Sequence, residues 1–313
     1  MAHQRRHADP VRPSLSRPLL TTACAYHEQV ATSAGVVLAG GRSTRMGTPK
    51  AALEWHGSTL LGRTAGILAR VASGPVVVVR AVGQELPDLP ENTLVVDDPR
   101  EGKGPVQGIA AGLAALRGQA DIAFICSTDM PFLHPAFIGR VLSVLADNET
   151  ADVALPVARG FRQPLAAAYR ISLTDAAERL VREGRLRPGS LFDECTVVRL
   201  DDATLKQDPA LAALDPDLES VVNINTPDDY RAARARPAPD VTVQLFGTFS
   251  QSAGTSGPRA VRAATLGGAA AALGLTLGRQ VTATLNGNQI TGDSRTPLAT
   301  GDTVLFLSAD ADG

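Results

Sequence analysis

Cysteine is nearly absent from this chain. Its 313 residues hold three, Cys24, Cys126 and Cys195, widely spaced and without a C-x-x-C pair, which excludes a disulfide framework and a structural zinc site. Long apolar runs are missing as well: those present, such as Val76–Val79, are far too short to span a bilayer. Neither sign of charge dominates. A formal net charge of -2 argues against a general nucleic-acid or anionic-membrane partner, so any anion must be held locally. The residues up to Ser33 mix arginine, proline, serine and histidine and lack the apolar core of a secretory signal. Residues 1–33 therefore read as a disordered extension, and the expected location is cytoplasmic. The five histidines, His3, His7, His27, His56 and His134, show neither metal spacing nor a nucleophile partner. His134, between Leu133 and Pro135, reads as a helix-start residue. Lysine is scarce: Lys50, Lys103 and Lys206 are the only ones, so 27 of the 30 cationic residues are arginine. A lysine closing a glycine-rich loop in such a chain favours a task that needs a compact ammonium.

What is present suits a soluble globular chain long enough for two domains, with 44% hydrophobic and 20% charged residues. From Gly35 to about Ala235 short apolar runs ("GVVLA", "PVVVVR", "TLVV", "DIAFICS", "DVALPV", "PLAAAY", "TVVRL") alternate with helical patterns. The helices are expected at Ser58–Val71, opened by a capping serine, and at Pro105–Arg117, Pro135–Ala146 and Leu173–Arg182. This alternation predicts a mainly parallel sheet covered on both faces, with its ligand crevice beyond the carboxyl ends of the strands. Pro237 and Pro239 in "ARARPAPD" end a helix and mark a linker at 236–240. The 74 residues from Asp240 to Gly313 then change pattern. Val241, Val243 and Leu245 alternate, a helix is expected around Thr265–Leu273, and "VTATLNG" and "DTVLFLS" read as two more strands. The expected domains are 34–235 and a small α+β module at 241–313.

The stretch "GVVLAGGRSTRMGTPK", Gly35–Lys50, empties a buried-looking strand into glycine and positive charge. At Ala39-Gly40-Gly41 no Cβ keeps main-chain N–H groups from a phosphate, and Arg42, Arg45 and Lys50 supply charge. It is neither a P-loop nor a dinucleotide fingerprint, because the glycine spacings do not match. A glycine turn with a solvated cationic rim is the competing reading. In "FICSTDMPF", Asp129 lies just past another buried strand. It suits a magnesium ion that takes its other oxygens from phosphate and water, or else caps a turn. Asp97 and Asp98 in "VVDDP" end a third strand. A carboxylate there can accept from the N–H edge of guanine or from a ribose, or make an Asx turn before Pro99.

Taken together, "LAGGRSTRMGTPK", "DD" before "GPVQGI", "TDMPF", "RQPLAAAY" and "VNINTPDDY" resemble the molybdenum cofactor guanylyltransferases, in matching order from Gly35 to about Arg234. These belong to the glycosyltransferase-A-like nucleotidyltransferases. The resemblance implies a Rossmann-like, three-layer α/β fold and transfer of GMP from Mg2+–GTP to the terminal phosphate of molybdopterin, with release of pyrophosphate. By position it implies nucleotide contacts at Leu38, Ala39, Gly40 and Gly41, the phosphates at Lys50, the nucleoside at Asp98 and the metal at Asp129. Asn223 and Asn225 match a late segment near the site, although turn and N-cap duty before Pro227 would also explain them. Arg42 is a further candidate contact, and so is Arg80, where relatives often carry asparagine. In-line displacement would place Arg45 and Lys50 on the departing pyrophosphate, and the ionised attacking phosphate needs no general base. Two rivals stay open: a cytidylyltransferase of the same fold, against which "LAGG" is the cue for guanine, and a non-catalytic scaffold that joins pathway partners.

The tail resembles the β-grasp (ubiquitin-like) sulfur carriers, of which the small subunit of molybdopterin synthase is one. "VTVQLFG", "VTATLNGNQI" and "TPLATGDTVLFL" carry the likeness. Such carriers end in Gly-Gly, whereas this chain ends in "SADADG", with Asp312 in the penultimate place. A degenerate carrier that docks other cofactor-biosynthesis proteins is the favoured expectation, and active sulfur carrying the alternative. Every residue expected to carry the transfer precedes Pro237, so the first domain is expected to work without the second.

Overall fold

The computed structural model describes Met1 and residues 31–40, 49–98, 104–252, 257–278 and 281–308. The strands are β1 (Ser33–Leu38), β2 (Glu54–Trp55), β3 (Ser58–Thr59), β4 (Val76–Ala81), β5 (Thr93–Asp98), β6 (Ile122–Ser127), β7 (Val153–Ala158), β8 (Phe161–Arg162), β9 (Ala166–Arg170) and β10 (Val197–Asp201). Apart from the β2–β3 hairpin they form one sheet, ordered β10-β7-β9-β6-β1-β4-β5, with β8 paired to β7. Strands β6, β1, β4 and β5 run parallel, and Leu38 stands level with Ser127, and Ala81 with Asp98. The carboxyl ends of β1, β5 and β6 therefore share one edge.

Strands β1, β4 and β6 are buried on both faces. Val37, Val78 and Phe124 pack towards the helices Leu60–Ala69 and Pro135–Ala146. Their neighbours Val36, Val77 and Ile125 pack towards Pro105–Ala115 and Thr174–Glu183. A three-layer α/β/α arrangement follows directly from that alternation.

Three details differ from the sequence reading. Strand β9 runs antiparallel between β6 and β7, because β7 returns through the short β8 hairpin rather than through a helix. The first helix is capped by Thr59, whose side chain accepts from the Gly62 N–H, while Ser58 lies in β3. Residues 31–33, expected in the extension, are tied to the sheet: the Thr32 N–H donates to Asp121 at 2.7 Å and Ser33 opens β1. Residues 2–30 lie outside the described part.

After the helix Pro227–Arg234 a second sheet begins. It comprises β11 (Asp240–Phe246), β12 (Arg259–Arg262), β13 (Val281–Leu285), β14 (Asn288–Ile290) and β15 (Thr303–Ser308), ordered β12-β11-β15-β13-β14. Its first and last strands pair in parallel and the others antiparallel. The helix Leu266–Ala271, capped by Thr265, closes a core with Val241, Val243, Val304 and Phe306. Strand β12 was not anticipated, since "RAVR" offers no alternation to read.

Candidate active site

At the shared strand edge lies a cleft of about 560 Å3. Leu38, Ala39, Gly40, Lys50, Asp98, Asp129 and Asn223 all line it, with Pro105 and Gly108 on one side and Arg162–Leu165 on another. Asp129 follows β6 by two residues. Its Oδ1 accepts from the Ser127 hydroxyl at 2.5 Å and its Oδ2 from Lys50 Nζ at 3.1 Å. Among the described residues no backbone N–H donates to this carboxylate, so the turn-cap reading of Asp129 has no contact behind it. Lys50 Nζ also donates to the Ile224 carbonyl at 2.7 Å and to Asn225 Oδ1 at 3.1 Å. The Ile224 N–H returns to the Asp129 carbonyl at 3.0 Å. The lysine thus gathers the Asp129 loop and the late "NIN" segment around one ammonium.

The cap before Pro227 is made by Thr226, which accepts from the Asp229 N–H in a capping box. That leaves the Asn225 side chain to Lys50. Hydrogen bonds from the Asn225 N–H and then from Thr226 hold the Asp229 carboxyl below its usual range. An apolar cluster of Trp55, Leu60, Ile224 and Ala233, with Phe132 and Tyr230 against it, supports this corner from beneath.

On the nucleotide-loop side the sequence reading needs correction. The Ala39 and Gly40 N–H groups both point at the Val79 carbonyl, at 2.8 and 3.2 Å, so neither is directed at a ligand. Gly40 has a packing reason instead: a Cβ there would lie 3.3 Å from the Ala81 nitrogen. Arg80 does not line the cleft. Its Nε donates to Asp97 at 2.8 Å and its Nη1 to the Gln84 carbonyl at 3.1 Å, because it points off the sheet edge towards its neighbour on β5. Gly41, Arg42 and Arg45 lie outside the described residues.

Asp98 faces the cleft and accepts from Gln107 Nε2 at 2.6 Å, while the buried Gln107 Oε1 has no hydrogen-bond partner. The glutamine leaves its own acceptor unmet to hold that carboxylate.

Arg162, in the stretch "RQPLAAAY", is a cleft residue with no role expected from the sequence. Arg162 and Lys50 are the cations among the described residues that line the cleft. The hairpin that carries Arg162 is pinned: the Arg159 N–H donates to Asp202 at 3.0 Å, and the buried Tyr169 hydroxyl donates to the Pro164 carbonyl at 2.7 Å. No signal in the sequence singles Arg162 out, because an arginine beside a turn is ordinary.

Cys126 is buried with its thiol pushed well up by desolvation, so it is no nucleophile. His134 caps the helix Pro135–Ala146, its Nδ1 accepting from the Ala136 N–H at 3.1 Å. The other ring nitrogen, which then carries the proton, donates to the Thr300 carbonyl at 3.0 Å.

Among the described residues no three acids, histidines or cysteines gather as a metal cage. One hard carboxylate facing a cleft fits a divalent ion shared with phosphate oxygens and water, rather than one held by protein alone. No described helix is long and apolar enough to cross a membrane.

The chain matches the family described as MobA-like NTP transferase domain over residues 35–196. It is 36% identical over 207 residues to a protein of Mycobacterium avium (strain 104) named "Probable molybdenum cofactor guanylyltransferase", covering 65% of this chain and 96% of the relative. A protein of the same name from Mycobacterium tuberculosis (strain ATCC 25618 / H37Rv) is 40% identical over 170 residues, 53% of this chain and 82% of that one. In fold the chain is similar to molybdopterin-guanine dinucleotide biosynthesis protein A from Archaeoglobus fulgidus, with a TM-score of 0.51 and 24% identity over 64% of this chain and 96% of the other. Residues 240–308 lie beyond the span of the family match.

Proposed function

This chain belongs to the MobA-like NTP transferase family and is a nucleotidyltransferase, and from that premise we propose that it moves GMP from GTP to the terminal phosphate of molybdopterin and releases pyrophosphate. The observation that carries the reading is the Lys50–Asp129 pair at the carboxyl edge of β1 and β6, facing the Asp98–Gln107 pair across one cleft. An oxygen of the acceptor phosphate attacks the α-phosphorus, the bond to the bridging oxygen breaks, and the electron pair leaves with pyrophosphate. Lys50, together with Arg45, neutralises charge on the departing side. Asp129 would hold Mg2+ jointly with the nucleotide's phosphates, and the bound ion supplies further neutralisation there. Asp98 accepts from the nucleoside, kept in place by Gln107. Asn223 and Asn225 frame the phosphate corner with Leu38, Ala39 and Gly40 as its floor. Gly41 and Arg42 are further proposed contacts of the nucleotide. Arg162, on the far wall, receives the acceptor's phosphate, since two anions brought together need a cation between them.

The C-terminal module is proposed to be a β-grasp domain derived from a sulfur carrier. A mixed five-stranded sheet with its first and last strands paired in parallel, closed by one helix, supports this. Asp312-Gly313 stands where the sulfur carriers have a glycine pair, which favours a docking module over a working carrier.

The test is direct. Purified protein is mixed with magnesium, molybdopterin, and GTP and CTP together, and the product is identified by mass. The guanine dinucleotide is expected. The cytosine dinucleotide would overturn the base assignment and leave the reaction class intact; no dinucleotide at all would overturn the acceptor.

A further inference from the structure

Among the described residues the second sheet is fastened to the first mainly through residues 295–302, just before β15. Arg70, the C-cap of the helix Leu60–Ala69, forks onto Asp302 at 2.6 and 2.8 Å and also donates to the Pro297 carbonyl at 3.0 Å. On the same helix Gly66 lets Pro297 come so close that a Cβ would meet its ring at 2.7 Å. Ala299 enters the core of the larger sheet, and the Thr300 carbonyl accepts from His134. This is an interior-grade contact.

Arg63 stands at its centre and is 7% exposed. Its Nε donates to the Pro131 carbonyl at 3.0 Å and its Nη1 to the Leu298 carbonyl at 2.9 Å. Pro131 is two residues beyond Asp129. One buried guanidinium therefore holds the Asp129 loop with one nitrogen and the C-terminal module with another. Its pKa is lowered to about 10 by burial and by Arg70 nearby, as expected of a charge satisfied by carbonyls rather than by a carboxylate. The loop from Asp129 to His134 is thus held on one side by Ile224 and by Ser220, which accepts from the His134 N–H. On the other side it is held by Arg63 and His134 through the module.

We infer that the C-terminal module positions the Asp129 loop for transfer, with Arg63 as the positioning residue that connects the two. The functional half rests on the role proposed for Asp129; the mechanical half does not. The expectation that the first domain works unaided gives way to this. A rigid guanidinium with two separate acceptors transmits any shift of residues 297–302 to Pro131. Catalysis is sensitive to displacements of that order.

Arg70→Ala and Arg63→Lys, each in the full chain, test it. Arg70 is remote from the cleft, so its loss loosens the contact without touching the site. Backbone amide exchange is followed by mass spectrometry, and GMP transfer is measured per folded molecule with separate kcat and KM for GTP. Both variants are expected to speed exchange at residues 129–134 as well as in the module, and to lower kcat by about tenfold with little change in KM for GTP. Arg70→Lys is expected to recover part of both. Faster exchange confined to the module, with unchanged kcat, would overturn the inference. Should Arg63→Lys fail to fold, Arg70→Ala decides alone. If the wild-type chain transfers no GMP, the exchange arm still judges the coupling and only the assignment of Asp129 falls.

Discussion

Asp129 and Arg162 act on opposite sides of the proposed transfer and should fail differently. Removing the Asp129 carboxylate leaves Lys50 with the Ile224 carbonyl and Asn225, so the pocket keeps its shape and its ammonium. Asp129→Ala is expected to slow GMP transfer by about 10²–10³, the scale of losing one preorganised electrostatic group. Metal-free stabilisation by GTP in a melting experiment should persist. Turnover within tenfold of wild type would make the aspartate structural. Arg162→Ala should instead raise the KM for the phosphorylated acceptor and leave the KM for GTP unchanged, because it removes a binding contact from one substrate only. Equal changes in both constants would remove Arg162 from the acceptor side. Asp129 and Lys50 were legible because charge after a buried strand is rare. Arg162 was not, since an arginine beside a turn is ordinary until a cleft surrounds it.

At the scale of elements, the helix Pro135–Ala146 shows a cap with a second duty. His134 closes the helix with Nδ1 and grips Thr300 with the other nitrogen. Burial holds its pKa below the ordinary 6.5, and Asp215 and Asp302 offset this only in part. His56, which accepts from Arg234 and is also partly desolvated, is shifted the same way. The unfolded chain then binds more protons than the folded one below about pH 6.5. Stability should be full above that pH and fall as pH drops from about 6.5 towards the lowered folded values. His134→Asn keeps a capping side chain but removes one titration, so the melting temperature should fall less steeply over this window. An unchanged slope would mean that His134 titrates normally. The helix itself was readable from Pro135 and its apolar spacing. The grip on Thr300, 166 residues away, was not, because no local pattern encodes a carbonyl arriving from another sheet.

For the whole molecule, Asp312-Gly313 stands where the sulfur carriers have a glycine pair. A bulky, negatively charged side chain at that pair opposes activation by ATP. Incubated with ATP and a sulfur-carrier adenylating enzyme, the intact chain is expected to show no oxygen-for-sulfur mass shift, and such a shift would restore the carrier reading.

By itself the sequence determined the alternation of strands and helices, the parallel run from β6 to β5, the three acids at or just past strand ends, and the lysine that closes the loop after β1. Each of these depends on residues near one another in the chain, where period, capping and turn chemistry act. The antiparallel entry of β9, the inward turn of the Ala39 and Gly40 N–H groups, and the pairing of Arg80 with Asp97 were decided only in three dimensions. So was the clamp of Arg63 and Arg70 on residues 297–302. In each case the partner comes from a different strand or sheet. A side chain or N–H group takes the nearest acceptor that folding brings to it, and spacing along the chain does not reveal which one that will be.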